Sequence, residues 1–236
     1  RGPSEGFAAN FLSLLCQPGL RADYYAFCDQ DDVWNANKLE VAVKALKNIE
    51  PDTPAVYCGR TLLTDSEGNE LGESASWRKP PSFENALVQS LAGGNTMVLN
   101  KSARELIEKA GRRPIVSHDW WVYLLVSGAG GKVIFDRTPT IRYRQHDTNL
   151  VGSNTSLAAN LFRIKMLFGN RFRTWNQTNI RALTQAQHLL TSGNRERFRN
   201  FKKARSGNVV SRFYHLLKSG AHRQTFMGNL GLFIAT

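Results

Sequence analysis

The densest chemical signal in this 236-residue chain is the run Phe27-Cys28-Asp29-Gln30-Asp31-Asp32-Val33-Trp34. It closes a short apolar stretch, Tyr24–Cys28, whose aromatic-rich composition predicts a buried strand. Carboxylates at the C-terminal end of such a strand stand where open α/β sheets bind ligands. Strand alternation places Asp29 and Asp31 on one side, so both can face a single cation. Hard carboxylate oxygens suit Mg²⁺ or Mn²⁺, and these ions in turn prefer phosphate oxygens. Three neighbouring acids repel one another unless a cation or a basic group offsets them, and a solvated acidic loop is the plain alternative.

Two other metal chemistries compete for the same run. A calcium-binding EF-hand loop starting at Asp29 would have Asp31 and Glu40 in place, but it needs an oxygen ligand where Val33 stands and a glycine where Trp34 stands. That reading fails. An apolar strand followed by Asp-x-Asp-x-Val also resembles the nucleophile motif of haloacid-dehalogenase-like phosphatases. There Asp29 would attack phosphorus and Asp31 would serve as general acid. The downstream Gly-Asp-x-x-x-Asp pattern that would complete that magnesium site is missing from the chain.

A second cluster is Ser117-His118-Asp119-Trp120-Trp121. Asp119 falls in the first turn of a predicted helix, where unpaired backbone amides attract negative charge. A carboxylate there, beside aromatics able to stack on sugar faces, suits a general base acting on a hydroxyl. The plain alternative is a helix-start acid with two core tryptophans. The third cluster is Tyr143-Arg144-Gln145-His146-Asp147, at a strand's end. Arg144 suits neutralising phosphate, and His146 suits completing a metal site, although a lone histidine is more often structural. His188, His215 and His222 receive no role.

The elements that must position these groups follow from periodicity and breakers. Phe7, Phe11, Leu14 and Leu15 form one helical stripe that Pro18-Gly19 ends. Leu39, Val43 and Leu46 repeat at helical spacing from Lys38 to Pro51. Ala55–Leu63 has strand character and runs into a turn at Glu67-Gly68-Asn69. Ser82 caps a helix, with Glu84 in its first turn. Gly93-Gly94 breaks that helix before a strand over Thr96–Leu99. A helix over Ser102–Ala110 ends at Gly111. Ser117 caps the next, Asp119 to about Val126, and strands Lys132–Phe135 and Thr140–Arg144 close the body. Alternating strands and helices predict a mixed, mainly parallel sheet flanked by helices. After Gly152 the pattern turns helical, with Leu161, Ile164 and Phe168 on one stripe and Phe213, Leu216 and Leu217 on another.

The chain is 42% hydrophobic and 21% charged, ordinary for a packed protein, and its charge of +12 is unevenly placed. From Gly152 to Thr236 there are 14 Lys and Arg against one acid, Glu196, whereas residues 1–151 hold 17 basic and 18 acidic groups. Residues 1–151 are therefore the expected catalytic domain, and 152–236 a basic helical region. Such a region attracts phosphate-rich partners, either an anionic membrane face or nucleic acid. Cys16, Cys28 and Cys58 are odd in number and widely spaced, which fits reduced thiols and a cytoplasmic protein better than a disulfide framework. No apolar run approaches the ~18 residues of a membrane span, and Asn229 interrupts the short Phe226–Ala235 stretch.

Taken together, these segments resemble the rhamnosyltransferase branch of glycosyltransferase family 2, inverting enzymes with the GT-A fold. The matching pieces are Phe27–Trp34 with Asn37-Lys38-Leu39-Glu40, then Gly94-Asn95-Thr96-Met97, His118–Trp121 and Tyr143–Gly152. They occur in the family's order and at its spacing. The resemblance implies that Asp29 and Asp31 form the Asp-x-Asp motif, the first near the nucleotide ribose and metal and the second a ligand of that divalent metal. It also implies that Gly94 lies beside donor and acceptor, Asp119 is the catalytic base, and His146 touches metal or diphosphate. His118 stands where many relatives carry glutamate. Trp34 and Trp120 are candidate walls of the sugar site. Implied with these are a nucleotide diphosphate sugar donor (dTDP-rhamnose by branch), a glycan acceptor in cell-surface polysaccharide synthesis, and a peripheral position at the inner membrane face, with nucleic acid the less favoured partner. Family members carry a strand–helix–strand unit upstream of Asp-x-Asp. Only 28 residues precede Asp29, so an incomplete nucleotide-binding half is expected.

Overall fold

The computed structural model describes residues 2–145 and 170–234. Helix α1 (Phe7–Leu15) leads into strand β1 (Tyr24–Ala26), and β2 (Val33–Trp34) and α2 (Lys38–Leu46) follow the acidic run. Next come β3 (Ala55–Gly59), β4 (Leu62–Thr64), β5 (Glu70–Glu73) and the single-turn helix α3 (Phe83–Ala86). A 3-10 turn (Gly94–Thr96) precedes β6 (Val98–Asn100), α4 (Lys101–Ala110), α5 (His118–Gly128), β7 (Lys132–Asp136) and β8 (Ile141–Arg144). The C-terminal part consists of α6 (Asn170–Gln185), α7 (Ser192–Lys203), α8 (Val209–Ser219) and α9 (Phe226–Ile234).

Among the described residues the strands form two sheets, ordered β1-β6-β3-β7 and β2-β8-β4-β5. This is the expected mixed α/β architecture, but the expected predominance of parallel pairing is corrected. Among the described residues only β3–β7 and β4–β8 run parallel, whereas β1–β6, β3–β6, β2–β8 and β4–β5 are antiparallel. Alternation along the chain implies crossovers without revealing which strands become neighbours, and β6 inserts between β1 and β3 against the direction of both. The single strand expected over Ala55–Leu63 is also two, since the chain passes from one sheet to the other between Gly59 and Leu62.

Helix α5 is the centre of the body. Every residue from Trp120 to Val126 is buried, and the helix packs against α1, α3, α4, β3 and β7. A helix apolar on all sides is stable only when enclosed in this way. Ser117 occupies its N-cap position without a side-chain hydrogen bond, whereas Ser82 Oγ does accept the Asn85 N–H at 3.2 Å to cap α3. Gly111 ends α4 as expected, at φ 74°.

The C-terminal helices share this core, since Leu183, Leu190, Phe198, Phe201, Leu216 and Leu232 belong to the same apolar cluster as α5. Polar ties reinforce the contact. Asn194 Nδ2 donates to the carbonyls of Ser127 and Gly128 at 3.1 and 3.0 Å, and Arg197 pairs with Glu84 at 2.7 Å. The stripe of Leu161, Ile164 and Phe168 lies outside the described residues. No described helix is long and apolar enough to cross a membrane.

Two predicted stripes turn out rotated. In α1 the buried residues are Ala8, Leu12 and Leu15, because Phe11 turns toward His118 instead. In α2 they are Lys38, Ala42 and Leu46, while Leu39 is exposed.

Candidate active site

Strand β1 ends at Ala26, and the acidic run forms a turn around Gln30-Asp31 before β2. The turn, not strand alternation, therefore positions Asp29 and Asp31, and it draws in Asp32 as well. All three carboxylates are half-buried. Burial raises the pKa of Asp29, and the negative charges of Asp31 and Asp119 raise it further. Burial pushes Asp32 up to about 6. A hydrogen bond from Asn95 opposes this, the charges of Asp29 and Asp31 add to it, and the Arg144 main chain opposes it again. The Asn95 Nδ2 to Asp32 Oδ2 distance is 2.5 Å.

Strand pairing supplies the next wall. Val33 lies opposite Arg142 and Trp34 opposite Ile141, so β8 carries Tyr143 and Arg144 past the acidic turn. The Tyr143 phenol is raised by burial and then by the charges of Asp32, Asp29 and Asp31. The Arg144 main chain reaches the turn, donating a hydrogen bond to Asp32. His146 lies outside the described residues.

The catalytic-base candidate reaches this cluster through an aromatic wedge. His118, the first residue of α5, is 6% exposed. Its ring stacks on Phe11 at 4.2 Å between centroids and meets Phe27 edge-on at 4.6 Å. On its other side the ring abuts Gly94, where a β-carbon would lie 2.1 Å from His118 Nε2. Because Phe27 belongs to the run that carries Asp29, this packing brings the start of α5 to the acidic turn, consistent with the influence of Asp119 on Asp29. Asp119 is half-buried, and its Oδ1 accepts the Trp120 backbone N–H at 2.7 Å. Burial pushes the His118 imidazole down, partly offset by the Asp119 charge.

The structure corrects one tryptophan and qualifies the other. Trp120 is buried in the core, with Nε1 donating to the Ala86 carbonyl at 2.7 Å, so it cannot line a sugar site. At helical spacing from Asp119, its ring turns inward with the rest of α5. Trp34 is half-buried, and Lys38 Nζ sits 3.8 Å from its ring centroid. Sequence reasoning missed this lysine, which is 1% exposed. Burial pulls its ammonium down to about 8, and the Cys28 sulfur and the Asp32 carboxylate draw it back up. Its position directly after the acidic motif was the available clue. Asn95 and Tyr143 carried a similar clue, each lying inside a motif valued for a different residue.

No three His, Cys, Asp or Glu side chains among the described residues gather into a ready-made metal cage. The acidic turn still fits a hard divalent cation. Half-buried Asp29 and Asp32, both raised by burial and by neighbouring negative charge, are relieved by positive charge, and Mg²⁺ commonly takes only one or two carboxylates plus substrate phosphates.

The elevated Asp32 makes a signed prediction. Between about pH 4 and 6 the folded protein holds a proton on Asp32 that the unfolded chain releases, so stability from this group rises as pH falls through that window. Urea melts across pH 6.5–4.5 should show the wild type gaining stability relative to Asp32→Asn as the medium acidifies. Parallel pH profiles for the two proteins would contradict the assignment.

Comparison with known proteins bears on the family resemblance. The chain is similar to the dTDP-rhamnosyl transferase RfbG of Shigella flexneri, 28% identical in an alignment of 183 residues that covers 71% of this chain and 59% of that protein. It is also similar to an uncharacterized glycosyltransferase of Rickettsia typhi, 26% identical over 146 residues, 58% of this chain and 44% of the other. An uncharacterized protein of Mycobacterium tuberculosis is 26% identical over 147 residues, 62% and 41% of the respective chains. The chain spans about half the length of the curated relatives it matches. No family model matches it. These relatives bear out the resemblance to rhamnosyltransferase-like glycosyltransferases.

Proposed function

We propose that this chain, a relative of rhamnosyltransferase-like glycosyltransferases, moves a sugar from a nucleotide diphosphate to a hydroxyl of a glycan acceptor by a single inverting displacement. The observation that carries the reading is the packing of His118 against Phe27 and Gly94, which sets the neighbouring Asp119 near enough to Asp29 for its charge to raise that carboxyl. It brings a base candidate at a helix start to an acidic turn suited to a metal-diphosphate. The relative's name makes dTDP-rhamnose the favoured donor.

In this reading the acceptor oxygen attacks the sugar's anomeric carbon, the bond from that carbon to the diphosphate oxygen breaks, and Asp119 takes the hydroxyl proton. Asp29 lies beside the ribose, Gly94 between donor and acceptor, and Trp34 along the sugar. Arg144 offsets phosphate charge. Asp31 and His146 are the proposed ligands of Mg²⁺ or Mn²⁺, which when bound stabilises negative charge on the departing diphosphate. Residues 1–151 form the catalytic part. The basic region 152–236 supports a peripheral, cytoplasmic position at an anionic membrane, where a lipid-linked glycan would be met.

The test is nucleoside diphosphate release from a panel of nucleotide sugars, with Mg²⁺ or Mn²⁺, using the full-length protein. Release from dTDP-rhamnose above the other donors is expected. Silence with every sugar, together with phosphate-ester hydrolysis and an aluminium fluoride adduct at Asp29, would replace this reading with the phosphatase one.

A further inference from the structure

The C-terminal helices carry cations that no described acid neutralises. Arg205 follows α7, and Arg212 lies one turn into α8. Arg205 sits over the Phe201 ring, its Cζ 4.8 Å from the centroid. Its Nε and Nη2, and the Nε of Arg212, are buried without a hydrogen-bond partner. Packing rather than ion pairing therefore holds these guanidiniums in place. Burial pulls Arg205 down to about 10, and the charges of Arg212 and of Arg173 on α6 pull in the same direction. Over residues 170–234 the only acid is Glu196. Like charges brought together in this way are costly unless an anion from outside joins them.

The helix that carries Arg212 also carries an exposed apolar face, which has no covering partner among the described residues. Periodicity predicts Phe213, Leu216 and Leu217 as a buried stripe, yet only Leu216 is buried. Val210 is 79% exposed, and Phe213 and Leu217 also face outward. Phe213 stacks on Phe233 of α9 at 6.0 Å and 18°, so the two helices present one surface, which Phe226 (82% exposed) and Leu230 extend. Exposed aliphatic and aromatic side chains on the helix that carries the half-buried Arg212 match the two layers of a bilayer interface, acyl boundary and headgroup phosphate. A second copy placed face to face would set arginine against arginine. Nucleic acid would account for the charge but leave the aliphatic side chains in water.

We propose that the α8–α9 face and the Arg173–Arg205–Arg212 cluster dock the protein on a bilayer of anionic phospholipid, the arginines meeting headgroup phosphates while the apolar side chains enter the acyl boundary. This deepens the membrane placement proposed above by naming the surface that makes it. Its test measures lipid binding without sugar transfer, so the two readings fail separately.

The experiment is flotation of the full chain with vesicles of phosphatidylcholine alone or mixed with phosphatidylglycerol. The wild type is expected to float only with the mixed vesicles. Phe226→Ser/Leu230→Ser and Arg205→Gln/Arg212→Gln should each lose roughly tenfold or more in binding, with unchanged circular dichroism. Arg173→Gln, at an exposed position, provides the charge test if the double arginine variant fails to fold. Absence of wild-type flotation, or flotation by every variant at the wild-type level, overturns the proposal. So does binding of inorganic phosphate or random duplex DNA without flotation, which would assign the arginines to a free anion or to nucleic acid.

Discussion

Asp119→Asn is expected to lower sugar transfer by roughly 10²–10⁴-fold while leaving donor affinity near the wild-type value. The substitution is nearly isosteric, and the amide oxygen can still accept the Trp120 backbone N–H that Asp119 Oδ1 takes at 2.7 Å. The helix behind it is held by buried Trp120 and Trp121 and need not move. What disappears is a carboxylate able to receive the acceptor's proton. Donor binding should survive, because the acidic turn is left whole and Asp29 is relieved of one of the charges that raise its pKa. Single-turnover transfer and calorimetric titration with nucleoside diphosphate separate the two effects. Transfer within a few-fold of wild type would remove Asp119 from the role of base.

Gly94→Ala should combine a loss of stability with a loss of transfer, and both should be recovered by making room at residue 118. The new β-carbon would stand 2.1 Å from His118 Nε2 and 2.9 and 3.0 Å from its neighbouring ring carbons. The ring has little room to retreat, since Phe11 stacks behind it and Phe27 closes its edge. Forcing extra volume into such packing costs about 1–3 kcal/mol. The displacement also reaches Asp119, the next residue, and a misplacement of about 1 Å near reacting atoms can cost ~10²-fold in rate. Gly94 matters here for the side chain it lacks. Its backbone is outside the positive-φ region in which other glycines of the chain lie. Gly94→Ala/His118→Ser relieves the clash, so the double variant should melt and turn over closer to wild type than the losses of the two single variants would predict. Strictly additive losses would mean that the Gly94–His118 contact does not control the position of Asp119.

Both expectations rest on a site assembled from four separate stretches of chain, the acidic turn, the Gly94 turn, the start of α5 and the end of β8. Each stretch was recognisable by residue type, because strand ends, glycine breaks and helix starts leave local marks. Asp29, Asp31 and Asp119 could be nominated for that reason, as could the expected architecture of mixed sheets flanked by helices. The relatives then agreed with the family resemblance carried by those stretches.

Other features depended on which surfaces meet. Strand direction could not be inferred from alternation, since β6 joins β1 and β3 antiparallel to both. Trp120 looked suited to a sugar wall by composition, but α5 is enclosed on every side and buries it. Lys38 had the sequence character of a solvated helix residue, yet it lies beneath Trp34 with its charge drawn toward Asp32. Local sequence determines which groups are available and where the backbone breaks, because those preferences are set within a few residues. Only the tertiary structure decides which groups share a low-dielectric space, because burial and charge coupling act between residues far apart in the chain, as Asp29 and Asp119 do.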